Sequence, residues 1–290
     1  MRSGTSMGLN KISLFFQTIK FEHTVFALPF AYMSAFLAVE GIPAFRDFFW
    51  ITMAMVGART LAMSLNRLID KEIDARNPRT SQRALPRGLL STREMVLFSL
   101  ISFFVFMMAV YELAPLCRYL WPLVIIPFVV YPYTKRFTWT SHFLLGLCLG
   151  LAPLGAWVAI RNGLSLVPIL LGLAVCFWVA GFDIIYSCQD VRVDREQGLY
   201  SIPARFGIKK GLQVTALLHV LTVIFLIGVG LSMGAGIFYY LGVTVVAFLL
   251  AYENRLVSPD DLSRVNEAFF TTNGFISILM FVFTVLSLRF

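Results

Sequence analysis

The chain is built largely of apolar stretches long enough to cross a lipid bilayer. Runs of about 18 or more predominantly apolar residues recur from one end of the sequence to the other. They fall roughly at 21–40, 47–68, 94–113, 118–134, 140–160, 165–187, 211–232, 235–252 and 268–288 by that length criterion. In hydrocarbon every backbone N–H and C=O must be satisfied within the protein, and for segments of this length the helix achieves that. The sequence therefore predicts an all-α, polytopic membrane protein of nine transmembrane helices, with residues 1–290 forming a single membrane domain. Hydrophobic residues make up 58% of the 290 and charged residues only 14%. With a mean hydropathy of +0.78, the composition excludes a soluble domain of this length.

The charge pattern gives the orientation. A formal net charge of +8 from 24 Lys and Arg could suggest nucleic acid, but the placement of the charges does not. With the N-terminus inside, the tail and the even-numbered loops collect most of them. These include the cluster from Arg67 to Arg93, then Lys135, Arg136, Arg192, Arg195, Arg205, Lys209, Lys210, Arg255 and Arg264. The opposite side receives Arg46, Arg118, Arg161 and Arg289. Such a bias orients membrane helices with these loops in the cytoplasm, and no nucleic-acid partner is expected. The first span is too long for a signal-peptide core and is expected to stay in the mature protein. Ahead of it, the mixed apolar and basic run from Lys11 to Lys20 reads as an interfacial lead-in. Cys117, Cys148, Cys176 and Cys188 have no paired spacing and read as small core residues.

Against this apolar background two acidic runs stand out. Asn66, Asp70 and Asp74 follow one another at intervals of four, and Asp183, Asp190 and Asp194 form the second run. A carboxylate at the centre of a bilayer costs roughly 2.5 to 3.5 kcal/mol on insertion scales, so these residues need a compensating role. The two runs end the second and sixth spans, which places them on the same membrane face. Asp70 and Asp190 stand at the same interval as Asp74 and Asp194, which suggests a parallel internal repeat. On an ideal helix a step of four advances about 400°, so each run is expected to form one continuous polar strip. Stacked carboxylates of this kind suit Mg2+, which takes one or two protein carboxylates and fills its other positions with phosphate oxygens and water. Asp260 and Asp261, by contrast, read as ordinary solvated acids, as do Glu72 and Glu196.

The longer motifs carry a family resemblance. Asn66-x-x-x-Asp70-x-x-x-Asp74 is followed by Arg79-Thr80-Ser81-Gln82-Arg83-Ala84-Leu85-Pro86-Arg87-Gly88. Asp183-Ile184-Ile185-Tyr186-Ser187-Cys188-Gln189-Asp190-x-x-x-Asp194 is followed by Ser201-Ile202-Pro203-Ala204-Arg205-Phe206-Gly207. Together they resemble the two signatures of the UbiA-type intramembrane prenyltransferases. The resemblance implies a helical bundle around a central cavity, capped by the 2–3 and 6–7 loops and embedded in membrane lipid, in a bacterial inner membrane with the active site facing the cytoplasm. It also implies a polyprenyl diphosphate bound through Mg2+ to Asn66, Asp70, Asp74, Asp190 and Asp194, and an aromatic acceptor acid that attacks the allylic cation. Asp70, Asp74, Asp183, Asp190, Asp194 and Tyr186 are then the expected catalytic residues.

Diphosphate leaves only when its charge is neutralised, so cationic side chains are expected beside the acids. The candidates for diphosphate or acceptor binding are Arg67, Lys71, Arg79, Arg83, Lys135, Arg136 and Arg205, each of which also serves positive-inside topology. Arg59 is the one basic residue well inside a span. It lies seven before Asn66 and is expected to point into the cavity, with pairing to Asn66 or Asp183 as the alternative. Tyr133 and Tyr186 are expected to present ring faces to a carbocation. Glu22-His23 is a further acceptor candidate, while His142 and His219 read as satisfying local polar contacts.

Many relatives have Arg-Pro-Leu-Pro where this chain has Arg83-Ala84-Leu85-Pro86. Together with the run from Phe21 to Phe30, this resembles the 4-hydroxybenzoate polyprenyltransferase branch. A dihydroxynaphthoate acceptor is the alternative, and haem is disfavoured. A secondary transporter would carry its acids at mid-depth in broken helices, whereas these cluster at one face beside basic loops.

Overall fold

The computed structural model of the chain describes residues 3–19 and 26–289. Glu22, His23, Lys20 and the start of the first expected span lie outside the described residues. In chain order, α1 (Ser3–Thr18) leads to α2 (Leu28–Val39) and α3 (Phe45–Ile69), which is followed at once by the short α4 (Lys71–Arg76). Next come α5 (Thr92–Glu112), α6 (Cys117–Thr134), α7 (Ser141–Arg161) and α8 (Leu166–Ser187). Two short helices, α9 (Val191–Glu196) and α10 (Ile202–Phe206), precede α11 (Ile208–Met233), α12 (Ile237–Leu256) and α13 (Asn273–Arg289).

Among the described residues the fold is all-helical, as expected, and the count of nine spanning helices is not reached by length and composition. Among the described residues, seven helices are long and apolar enough to cross a membrane. The other two expected spans are α2, described over 12 residues, and α6, which carries Pro122, Pro127 and Pro132 within 18 residues. Proline removes a helix hydrogen bond, and inside a bundle neighbouring groups can re-satisfy the freed backbone.

Connection lengths make the two ends of the bundle unlike. Residues 40–44, 113–116, 162–165 and 234–236 are short turns at one end. Residues 70–91, 135–140, 188–207 and 257–272 are the longer connections, all at the other end, and both acidic motifs lie among them. Helix α8 runs through the middle, packed on α7 and α11. The approach to α7 is backbone on backbone: a Cβ on Gly146 would lie 2.2 Å from the Cys176 carbonyl oxygen, and one on Gly150 2.6 Å from that of Gly172. Small residues four apart allow this close packing where lipid supplies no hydrophobic drive between helices.

Two further devices steady the acidic end. Trp178 Nε1 donates to Asn273 Oδ1 at 2.6 Å, and Asn273 Nδ2 donates to Glu253 Oε1 at 3.0 Å, which links α8, α12 and α13. A π-type turn over Glu267–Thr272 precedes α13 and places Phe269 and Phe270 in the cavity wall. On the other side, α1 packs on the 77–91 connection. Phe15 stacks on Phe98 at 4.2 Å and clusters with Leu85, Leu90 and Met95, and Lys11 pairs with Glu94. Glu94 also completes a capping box with Ser91, which fixes the start of α5.

Candidate active site

Both acidic runs bend where the sequence predicts straight strips. Asp70 has φ −93° and ψ 5° and ends α3, with α4 starting at the next residue. Helix α8 ends at Ser187, and a tight turn over Cys188–Asp190 intervenes before α9. The expected continuous columns are therefore corrected. Aspartate is a weak helix former that favours turns and helix starts, and Asp70 and Asp190 each occupy the position just before a new short helix. The first step of the pattern survives, since Asn66 Nδ2 donates to Asp70 Oδ2 at 3.1 Å.

Most of these acids have a cationic partner from another element. Lys135, at the end of α6, reaches Asp70 Oδ2 at 2.6 Å, and Arg136 lies 3.7 Å from Oδ1 while donating to the Ile69 carbonyl at 2.7 Å. Arg83 Nη1 lies 2.7 Å from both oxygens of Asp74. Arg79 Nε donates to Asp190 Oδ1 at 3.0 Å, its Nη2 pairs with Oδ2, and its Nη1 donates to the Tyr186 hydroxyl at 2.7 Å. Asn77 Nδ2 also donates to Asp190 Oδ1 at 3.0 Å. Asp194 Oδ2 accepts from Ser201 Oγ at 2.9 Å, and Asp183 Oδ2 lies 2.7 Å from His142 Nδ1. Asp70 is 2% exposed. Burial raises its carboxyl pKa above the ordinary value, with the Lys135 ammonium pulling the other way.

These groups ring the mouth of a cavity of about 530 Å³. Asn66, Asp70, Asp74, Asp183, Asp190 and Asp194 all line it, as do Arg67, Arg79, Arg83, Lys135 and Tyr186. Below them the wall turns apolar and continues past Phe128, Cys148 and Val124 to Leu113, Cys117, Ala159 and Leu164 at the opposite end of the bundle. The site is thus a charged mouth on an apolar shaft. Tyr186 packs its ring on Phe269 at 4.2 Å, so one wall of the mouth is aromatic. Arg59 faces the cavity. Asn66 bonds Asp70 and Arg67, and Asp183 bonds His142.

Four expected residues do not line the cavity. Tyr133 is 43% exposed and lies outside it, with the Arg136 guanidinium 5.0 Å from its ring centre. Tyr131 takes its place in the wall, because it precedes Lys135 by four and shares its face. That spacing was the available signal. Lys71 turns out to Thr92 Oγ1 at 3.1 Å, Arg205 is exposed on α10, and Arg136 covers the end of α3 from outside the cavity. Arg67 lines the cavity yet is largely a structural brace. It is buried, with Nε donating to the Thr18 carbonyl at 3.2 Å and Nη1 lying 4.0 Å from Asp74 Oδ2. Asn77, Ser201 and the wall position of His142 were not read from the sequence.

Comparison with known proteins agrees with this architecture. The model of the UbiA prenyltransferase family matches residues 27–279. The chain is 30% identical over 238 residues to a 4-hydroxybenzoate octaprenyltransferase of Vibrio cholerae, covering 82% of this chain and 83% of that one. Among solved structures, a UbiA homologue from Aeropyrum pernix K1 in its apo form superposes with a TM-score of 0.83 at 33% identity, over 91% of this chain and 98% of that one. A UbiA homologue from Archaeoglobus fulgidus bound to GPP and Mg2+ shares the fold, with a TM-score of 0.72 at 21% identity over 96% of this chain and 100% of that one. The chain belongs to the UbiA prenyltransferase family.

Proposed function

We propose that this prenyltransferase moves a polyprenyl group from a prenyl diphosphate to a hydroxylated aromatic acid such as 4-hydroxybenzoate. One domain spans the chain, in a bacterial inner membrane, with the charged mouth facing the cytoplasm. The observation that carries this reading is the joining of two acid-and-base clusters to one apolar shaft. A diphosphate head needs the first and a polyprenyl tail the second. The names of the Vibrio cholerae relative and of the Archaeoglobus fulgidus complex support the same substrates.

The residues suit Mg2+ shared with substrate. Asp70 Oδ1 is buried without a hydrogen-bond partner, with Arg136 3.7 Å away, and is a hard-oxygen donor. Among the described residues no three His, Cys, Asp or Glu converge on one point, so a cation here would complete its shell with diphosphate oxygens and water. Asn66, Asp70 and Asp74 of the first run, and Asp190 and Asp194 of the second, would supply the protein ligands to such cations, one or two to each. When bound, Mg2+ neutralises the diphosphate and makes it a competent leaving group.

The chain's own groups do the rest. Arg79, Arg83 and Lys135 place positive charge where the departing diphosphate gathers negative charge. The carbon–oxygen bond breaks with its electron pair on diphosphate, and a ring carbon of the acceptor supplies the pair for the new carbon–carbon bond. Loss of the ring proton then restores aromaticity. Tyr186 and Tyr131 line the cavity in which the cation develops, where aromatic rings stabilise positive charge, and the apolar shaft keeps water from it.

The test is product mass. Purified protein in lipid is incubated with Mg2+, farnesyl or longer diphosphates and a panel of benzoates and dihydroxynaphthoates. A product heavier than one acceptor by one prenyl group is expected. Its absence with every acceptor overturns the reading.

A further inference from the structure

His142 opens α7 and is 2% exposed, so both ring nitrogens need partners inside the protein. Both have one. Nδ1 lies 2.7 Å from Asp183 Oδ2, and Nε2 lies 3.2 Å from the backbone nitrogen of Ile202. A backbone N–H can only donate, so Nε2 is the acceptor and carries no hydrogen. The ring hydrogen therefore sits on Nδ1 and points at Asp183. A doubly protonated ring would set an Nε2–H against the Ile202 N–H, so the backbone itself selects the neutral tautomer.

This sets Asp183 apart from three of the acids at the mouth, while Asp194 is held by the Ser201 hydroxyl. Asp70, Asp74 and Asp190 each face a Lys or Arg. Among the described residues, the ion-pair geometry of Asp183 is with His142 alone, and that ring is held neutral. Asp183 thus receives a directed hydrogen bond in place of a Lys or Arg partner, and it lines the cavity. Such a group repels diphosphate and accepts readily from a neutral hydroxyl. With Oδ2 taken by His142, Oδ1 is the oxygen left for that hydroxyl.

The link continues to the other acid of this run. Ile202 follows Ser201, whose Oγ donates to Asp194 Oδ2 at 2.9 Å and accepts from the Ala204 N–H at 3.2 Å. His142 therefore joins the deep carboxylate of α8 to the segment that holds Asp194.

We propose, building on the prenyltransferase reading, that His142 is a positioning residue of the acceptor subsite. It holds Asp183 with one oxygen turned to a ring hydroxyl of the acceptor, and it ties that carboxylate to the Ser201–Phe206 segment. The hydroxyl donates to Asp183 throughout, and no bond to the protein forms or breaks. As the ring attacks, electron release from the hydroxyl oxygen is favoured by this acceptor.

The test is steady-state kinetics of the full-length protein in lipid, with donor and acceptor varied separately, for wild type, His142→Phe and His142→Gln. Glutamine can donate its amide N–H to Asp183 and accept from Ile202, whereas phenylalanine can do neither. For His142→Phe, kcat/KM for the acceptor should fall by about 10–100-fold, the range for a lost hydrogen bond to a charged group. The KM for the donor should stay within about 2-fold, and His142→Gln should recover acceptor efficiency to within about 3-fold of wild type. An unchanged acceptor efficiency in His142→Phe overturns the proposal. So does an equal loss for donor and acceptor, or a Gln variant no better than Phe. If His142→Phe does not accumulate, the comparison is read from His142→Asn, which can reach Asp183 but not the Ile202 N–H. A smaller loss confined to the acceptor supports the proposal, and no loss overturns it. Wild type that transfers to no hydroxylated aromatic acid refutes the functional reading itself. Wild type that transfers, with His142→Phe unaffected, refutes only the role of His142.

Discussion

Replacing Asp70 by asparagine removes one negative charge and almost no volume, so it separates what the carboxylate does for folding from what it does for chemistry. Asp70 is 2% exposed, with Lys135 at 2.6 Å and Arg136 at 3.7 Å. For folding, two terms oppose. The buried carboxylate is costly to desolvate, as the raised pKa shows, and Asp70→Asn relieves that cost. It also loses the pairing, but the Lys135 and Arg136 side chains are 28% and 39% exposed and can turn to water. Terms of similar size leave a net change within about 1 kcal/mol, or roughly 2–4 °C in the thermal midpoint. For chemistry nothing offsets the loss, because an amide brings no charge to a metal–diphosphate site. Removing one such electrostatic group costs about 2.7–4 kcal/mol in the transition state, so kcat should fall about 10²–10³-fold. Product formation by mass spectrometry and thermal unfolding in the same lipid measure the two arms. Turnover within about 3-fold of wild type, or a midpoint fall large enough to account for the loss, would refute the reasoning.

Three further outcomes are expected. Excess chelator should abolish turnover and added Mg2+ should restore it, while full activity in chelator would remove the cation from the account. Tyr131→Ala, in the cavity wall, should lower turnover by about 10-fold or more through loss of ring–cation contact. Tyr133→Ala, outside the cavity, should stay within about 2-fold because exposed substitutions change little, and the reverse order would contradict the placement of these rings. In a background with the four cysteines replaced, Gln82→Cys and Tyr200→Cys should label from the cytoplasmic side and Arg161→Cys from the other. Labelling of positions 82 and 200 from opposite sides would exclude a shared face.

Hydropathy and carboxylate spacing made much of this molecule legible. Apart from the start of the first span, which lies outside the described residues, the helices begin and end within a few residues of the expected spans, because lipid leaves the backbone little choice. The acids came from the same reading, since a costly residue repeated at a membrane face must be compensated. What the sequence hid was rotation and pitch. Tyr131 and Tyr133 are two apart on a helix interrupted by three prolines, and only the register with Lys135 tells which ring faces in. The turns at Asp70 and Asp190 interrupt intervals of four that look continuous in one dimension. Partners set by tertiary structure were also out of reach. The bond from Asn77 to Asp190 joins residues 113 apart, and the bond from His142 to Ile202 joins residues 60 apart. The π-type turn that brings Phe269 and Phe270 to the cavity leaves no mark on a hydropathy trace.

The central claim is that the charged mouth couples diphosphate departure to prenylation of an aromatic ring. It is tested most directly by following diphosphate release and product mass together, in purified protein with Mg2+, a polyprenyl diphosphate and 4-hydroxybenzoate or a dihydroxynaphthoate. The account predicts release that depends on acceptor, with one diphosphate freed for each prenylated product. Release at the same rate without acceptor, or no release with any acceptor, would contradict it.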